Sequence, residues 1–160
     1  MPALESILEL LAGPLDPLSR NSFDPGHLTV GAFAVAEGQV LMVHHRRLGI
    51  WIEPGGHIDP EDVSLEAAAA RELLEETGVA ATLVDEGIFD IDAHDIPAAR
   101  GEPAHRHFNV SYLFEAELNP VVAAAEVLDA AWIPFDRVGE LTTDAAVLRA
   151  VAKLNSRYRR

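Results

Sequence analysis

The spacing of apolar and polar positions changes several times along the chain, and each change marks an element. Residues 3–12, ALESILELLA, set Leu4, Leu8 and Leu11 near one face of a helix that Gly13-Pro14 ends. The next stretch, 14–26, holds three prolines and reads as a connection laid over the surface. His27 to Ala36 and Gln39 to His45 have strand character, and the intervening Glu37-Gly38 favours an antiparallel hairpin. Leu48 to Ile52 leads into a turn at Pro54-Gly55-Gly56. From Ser64 or Leu65 to Thr77 the Ala- and Leu-rich run predicts a helix of about 20 Å. On a helical wheel Ala67, Ala70 and Leu74 oppose Glu72, Glu75 and Glu76, so the apolar three are expected inside and the acids outside. Gly78 suits the C-cap, with Val79 folding back over the last turn.

In the second half, Thr82 to Ile91 alternates imperfectly and predicts an extended strand running into a turn near His94 to Pro97. Ala98 to Ala104 reads as a loop. His107 to Leu118 is the clearest later strand, with Phe108, Val110, Tyr112 and Phe114 alternating against Asn109, Ser111, Leu113 and Glu115. Ala130 to Pro134 predicts a short strand and Asp144 to Tyr158 a terminal helix. Many strands with two or three helices imply an α/β domain, α+β by some schemes. The expected division is an N-terminal helix and proline-rich connection at 1–26, then one domain over 27–160.

Composition narrows the function classes. At 160 residues the chain can build one well-cored domain, and 49% apolar residues exclude wholesale disorder. The net charge of −14 opposes binding to long nucleic acid, which depends on basic phosphate contacts. It does not oppose a nucleotide, because a bound cation inverts the local potential. No cysteine is present, which excludes disulfides and thiolate chemistry. No basic segment followed by a long apolar run opens the chain, and no apolar run approaches a membrane span. A cytoplasmic protein that does not engage membranes is expected.

The chemistry concentrates between Pro54 and Val79. Glu72, Glu75 and Glu76 crowd beside Arg71 on one helical turn, and like charges at such spacing repel unless neutralised. A hard divalent cation relieves that repulsion, since Mg²⁺ takes oxygen ligands and sits between carboxylates and substrate phosphates. The Gly55-Gly56 turn ahead of the helix permits close backbone approach. The segment therefore reads as a metal and phosphate site.

These residues resemble the signature of the Nudix hydrolases (MutT-like). That signature runs Gly, five residues, Glu, seven residues, Arg-Glu, an apolar residue, any residue, Glu-Glu, any residue, Gly and an apolar residue. Gly56 matches its opening, and Arg71, Glu72, Leu73, Glu75, Glu76, Gly78 and Val79 match its second half. Asp62 stands where the first Glu belongs, and eight residues rather than seven separate it from Arg71. Either the loop carries one extra residue, or Glu61 or Glu66 supplies that carboxylate. The Trp132 to Pro134 segment, preceded by Glu126, resembles the late strand common in the family.

The resemblance implies a Nudix fold, a mixed β-sheet in an α/β/α sandwich, and Mg²⁺-dependent hydrolysis of a phosphoanhydride, with Mn²⁺ as a substitute. It places the metal on Gly56, Glu72, Glu75 and Glu76, and makes Arg71 the arginine that holds the glutamates. The water's proton would go to Glu76, Glu126 or Glu53. The implied substrate is a nucleoside diphosphate linked to another moiety, such as a nucleoside di- or triphosphate. The alternatives are a non-nucleotide diphosphate and a catalytically silent nucleotide-binding domain. Lys153 as the one lysine speaks against inositol phosphates, and isomerase chemistry on this fold requires a cysteine.

Outside the motif, His105 and His107 share one face of a strand and offer substrate or phosphate contacts, structural hydrogen bonds, or a zinc site. Arg46, in the basic run His44 to Arg47, and Glu53, just before the turn, are further substrate-contact candidates. For Arg46 a solvated hairpin rim is the favoured alternative, and Glu53 reads equally as a hairpin cap. Phe23, Phe33 and Phe108 either stack a base or belong to the core. The N-terminal helix and its connection offer a surface for a homodimer.

Overall fold

The chain folds around two long parallel strands that lie side by side at the centre of a mixed sheet. In the computed structural model, which describes residues 1–159, helix α1 (Pro2–Ala12) precedes β1 (Gly26–Ala36), β2 (Gln39–His45), β3 (Trp51–Ile52) and β4 (Gly55–His57). Helix α2 (Leu65–Thr77) follows, then β5 (Thr82–Leu83), β6 (Asp90–Ile96), β7 (His105–Glu115), β8 (Val127–Pro134) and α3 (Ala145–Tyr158). β1 runs parallel to β7 from Gly26 opposite Arg106 to Val35 opposite Glu115. β2 and β4 pair antiparallel with β1, β3 and β8 with β2, and β5 and β6 with β7.

Even-numbered residues of the central strands (Val30, Ala32, Ala34, Val110, Tyr112 and Phe114) pack with Ile7 and Leu10 of α1 and Ala68, Ala69 and Leu73 of α2. Odd-numbered Phe33, Val35 and Leu113 pack with Val147, Ala150, Val151 and Leu154 of α3. The sheet is therefore filled from both sides, which explains why β1 is buried along its whole length. Toward the start of β1 and β7, the odd positions turn polar: His27 and Thr29 on one strand, His105, His107, Asn109 and Ser111 on the other. Polar residues buried beside a sheet need partners, and that change of character locates the site.

The hairpin forms as its sequence dictates, with Glu37 and Gly38 both at positive φ, 48° and 76°. Ser64 caps α2 through Ala67 N–H at 3.1 Å, and Gly78 ends it at φ 71°. The expected N-terminal helix forms as α1, with Leu4, Leu8 and Leu11 on its exposed side, because Ile7 and Leu10 give it a second apolar edge and that edge meets the sheet. Two expectations fail. Thr82 to Ile91 is not one strand: two short pairings flank a non-strand stretch, and β6 continues to Ile96, where a turn was expected.

The second failure concerns the buried face of α2, which carries Ala68, Ala69 and Leu73 while Leu74 is 51% exposed. Glu76 is itself on the inward side at 9% exposure. Glu72 and Glu76 thus border the buried face, and only Glu75 stands opposite it, its side chain 57% exposed. Leu73→Ala should cost about 2–4 kcal/mol in chemical denaturation, the usual scale for a core leucine. Leu74→Ala should cost less than about 1 kcal/mol.

Candidate active site

A cleft of about 410 Å³ opens against the polar start of β1 and β7. Glu53, Glu72, Glu76 and Glu126 line it, with Gly55, Gly56, His57, His107, Asn109 and the two arginines Arg47 and Arg100. Helix α2 presents Glu72 and Glu76, one turn apart, along the same line. Consecutive residues lie about 100° apart on a helix. Glu75 therefore swings away: it is exposed and meets Arg71 Nη1 at 3.1 Å instead of entering the cleft.

Each inward carboxylate is held in place. Glu76 accepts a hydrogen bond from Gly55 N–H at 3.3 Å. The Glu53 carboxylate accepts from Asn109 Nδ2 at 3.0 Å, and Ser111 Oγ lies 3.5 Å away. Glu72 folds against Gly56 so closely that a Cβ there would come within 2.6–2.8 Å of its carboxylate. A side chain at that position would push the Glu72 carboxylate out of its place. Burial pushes Glu76 up to about 8, reinforced by Glu72, Glu126 and Glu53, and burial pushes Glu53 up to about 7. Burial also raises Glu72, against the pull of Arg71. Carboxylates forced together in this way make a site that a hard cation would relieve.

Arg71 is the clamp behind this face. Its guanidinium makes two bonds to Asp62, at 2.9 and 2.8 Å, and also donates to Glu72 at 3.0 Å and to the His57 carbonyl at 3.0 Å. Asp62 in turn accepts from Asp59 N–H and is held below the usual carboxylate range by Arg71. The irregular loop residue is thus a partner of Arg71, outside the cleft. Asp62→Asn should loosen the fork at a cost of about 1–3 kcal/mol, read as a lower denaturation midpoint. Its effect on turnover should be smaller than that of losing Glu76.

The other sequence candidates divide. His107 lines the cleft, whereas His105 is buried at its back. Arg46 turns to the carbonyls of Ala125 and Val127, at 3.1 and 3.4 Å, and lies in a shallower groove with Glu126. Arg47 takes the cleft position, tied to the Pro97 carbonyl and Glu102. Phe33 and Phe108 are core residues, and Phe23 packs edge-on against His27 and His105. His57, Arg100 and Asn109 were not anticipated. Asn109 and Ser111 were legible as the polar half of an alternating strand, but nothing local tied them to Glu53.

A family model, the NUDIX domain, matches residues 25–154. The chain belongs to the Nudix family. It is 45% identical over 58 residues to a putative 8-oxo-dGTP diphosphatase of Bacillus subtilis (strain 168), a match covering 34% of this chain and 38% of that protein. It is 44% identical over 57 residues to phosphatase NudJ of Escherichia coli (strain K12), covering 34% and 37%. The chain therefore spans little more than a third of the length of these curated relatives. Among solved structures, a NUDIX-family hydrolase from Clostridium perfringens superposes with a TM-score of 0.66 at 19% identity, covering 87% of this chain and 99% of that one. A C. elegans Ap4A hydrolase binary complex gives 0.63 at 17% identity, covering 81% and 95%. Those likenesses establish the α/β/α Nudix fold.

Two further groups of this Nudix chain bear on metal chemistry. Glu53, Glu72 and Glu76 offer carboxylate oxygens, the donors that suit Mg²⁺. His27, His105 and His107 bring ring nitrogens within 4.8 Å of one another, close enough to hold a metal ion. No helix among the described residues is long and apolar enough to cross a membrane.

Proposed function

We propose that the protein hydrolyses a phosphoanhydride bond in a nucleoside diphosphate derivative, with nucleoside di- and triphosphates the first substrates to test, and that Mg²⁺ (or Mn²⁺) is required. The observation that carries this reading is the convergence of Glu53, Glu72 and Glu76 on one cleft beside the Gly55-Gly56 backbone. The family and the curated relatives named above support the same reaction class. Glu72 and Glu76 are the residues that would hold the metal, with Glu126 at the rim. When bound, such an ion polarises phosphate oxygens and lowers the pKa of a water.

The remaining work falls to the chain itself. Glu53 is aimed by Asn109, and its pKa of about 7 suits it to take a proton from water near neutrality. Arg47 and Arg100 line the otherwise acidic cleft and are placed to meet phosphate oxygens. Arg71 and Asp62 keep Glu72 from turning outward. Leu48, Ile52 and Val127 supply apolar walls for the non-phosphate part of the ligand.

The test is a panel of nucleoside di- and triphosphates, dinucleoside polyphosphates and nucleotide sugars, with isoprenyl diphosphates for comparison, assayed with Mg²⁺ by phosphorus NMR. Turnover confined to nucleotides, and abolished by chelator, is expected. Turnover of the isoprenyl compounds alone would overturn the substrate class.

A further inference from the structure

Beside the carboxylates lies a second polar cluster that the hydrolytic reading does not use. His27, His105 and His107 come from adjacent positions of the parallel pair β1 and β7, where His27 stands opposite His107 in register. His27 is 1% exposed and His105 7% exposed.

Their hydrogen bonds fix which ring nitrogens are free. His27 Nδ1–H donates to the Ser22 carbonyl at 3.0 Å, and His105 Nδ1–H donates to the Pro103 carbonyl at 2.8 Å. Each Nε2 is therefore left with an unprotonated lone pair. His105 Nε2 lies 3.2 Å from His107 Nε2. His27 Nε2 is buried with no partner at all, the one such side-chain atom among the described residues. A buried ring nitrogen without a hydrogen bond is costly. Imidazoles whose Nδ1–H is anchored on a backbone carbonyl are oriented as metal ligands usually are.

We infer that His27, His105 and His107 form a second metal site, selective for zinc or a similar borderline transition ion and separate from the carboxylate site. Three neutral imidazoles are poor ligands for Mg²⁺, which takes oxygen donors, and good ones for Zn²⁺. With Zn–N bonds of about 2.0–2.1 Å, closing the present spread of up to 4.8 Å takes small rotations of the rings. His107 moves its proton from Nε2 to Nδ1 to become the third ligand. His57 borders the same space, its ring 5.1 Å from His27 and 5.4 Å from His107. The fourth position belongs to His57 or to water from the cleft. Such an ion ties the Ser22 turn to β1 and β7 and stiffens the wall that His107 presents to the cleft.

The experiment uses the full chain stripped of metal by chelator and returned to buffer with excess Mg²⁺, which occupies the carboxylates. Co²⁺ is titrated and followed by visible absorption, and Zn²⁺ is then added in competition. The expected result is one equivalent of Co²⁺ with intense tetrahedral-type absorption, displaced by Zn²⁺, and a higher Tm with Zn²⁺. His27→Ala and His105→Ala should each weaken binding by more than the roughly 10–100-fold that losing an outer partner costs, while Glu72→Gln with Glu76→Gln should leave it in place. Weak octahedral-type absorption in the parent protein would overturn the site, and that titration needs no variant to fold. So would binding that is lost with the glutamates and kept without the histidines. Hydrolysis is measured separately in zinc-free Mg²⁺ buffer, so either proposal can fail alone.

Discussion

Replacing Glu76 by Gln should lower turnover by at least about two orders of magnitude, beyond the roughly 10–100-fold that losing only an outer partner of a metal ligand costs, with no loss of folded stability. The substitution keeps volume and the acceptor for Gly55 N–H, but removes a charge from a site where Glu53, Glu72 and Glu126 already repel it. In the metal-free protein that removal is a relief. The melting temperature of the variant without metal should therefore equal or exceed that of the parent, while its response to Mg²⁺ shrinks. A variant that turned over the best substrate at near parental rate would remove Glu76 from the mechanism. Glu75→Gln is the control, because Glu75 is exposed and bound to Arg71. Its effect should be much smaller, although sequence alone ranks the two residues together.

The second large effect is on stability against pH. Glu53 and Glu76 are raised in the folded protein to about 7 and about 8 from 4.5. Each raised carboxyl contributes stability that is full below its unfolded value and is lost as pH climbs through its folded value. His57 is depressed by burial to about 4, and burial holds His107 well below its ordinary value. A depressed histidine contributes stability present above about 6.5 and lost as pH falls.

Between about 4.5 and 6.5 these opposite trends largely offset each other. Above 6.5 only the carboxylates remain. Metal-free protein should thus lose stability from pH 6.5 to 8.5, by roughly 2–3 kcal/mol at about 1.4 kcal/mol per pH unit. For a chain of this size that is a fall in Tm of about 5–10 °C. Saturating Mg²⁺ should flatten this decline, because it binds the ionised carboxylates and so favours the form that burial penalises. Calorimetry with chelator and with Mg²⁺ across this range checks it. Equal slopes in the two conditions would mean that these carboxylates do not share a cation.

Much of this was legible in the sequence because it is local. Glu37-Gly38 needs only its own φ preferences to make a hairpin, and Ser64 and Gly78 mark the ends of α2 from within a few residues. The motif itself placed Glu72, Glu76 and Gly56 together.

What stayed hidden depends on distant pairings. The parallel register of β1 and β7 sets Thr29 beside Asn109 and His27 beside His107, and no local pattern states it. That register assembles both the anchor for Glu53 and the histidine cluster. The inward face of α2 is hidden from the sequence for a related reason. A wheel that treats every glutamate as outward cannot anticipate a buried Glu76, which the sheet and the cleft together demand. Asp62 was legible as an irregularity of the motif, but its fork with Arg71 appears only once the loop folds back over the helix.

The most direct measurement is anomalous diffraction from crystals of the full chain soaked with Mn²⁺ and a non-hydrolysable nucleotide. The expected result is an ion in the cleft bound by Glu72 and Glu76 carboxylate oxygens at about 2.0–2.3 Å, beside the phosphates and with Arg71 and Asp62 still paired behind. An ion bound instead by Asp62 or Glu75, with Glu72 and Glu76 left free, would contradict it.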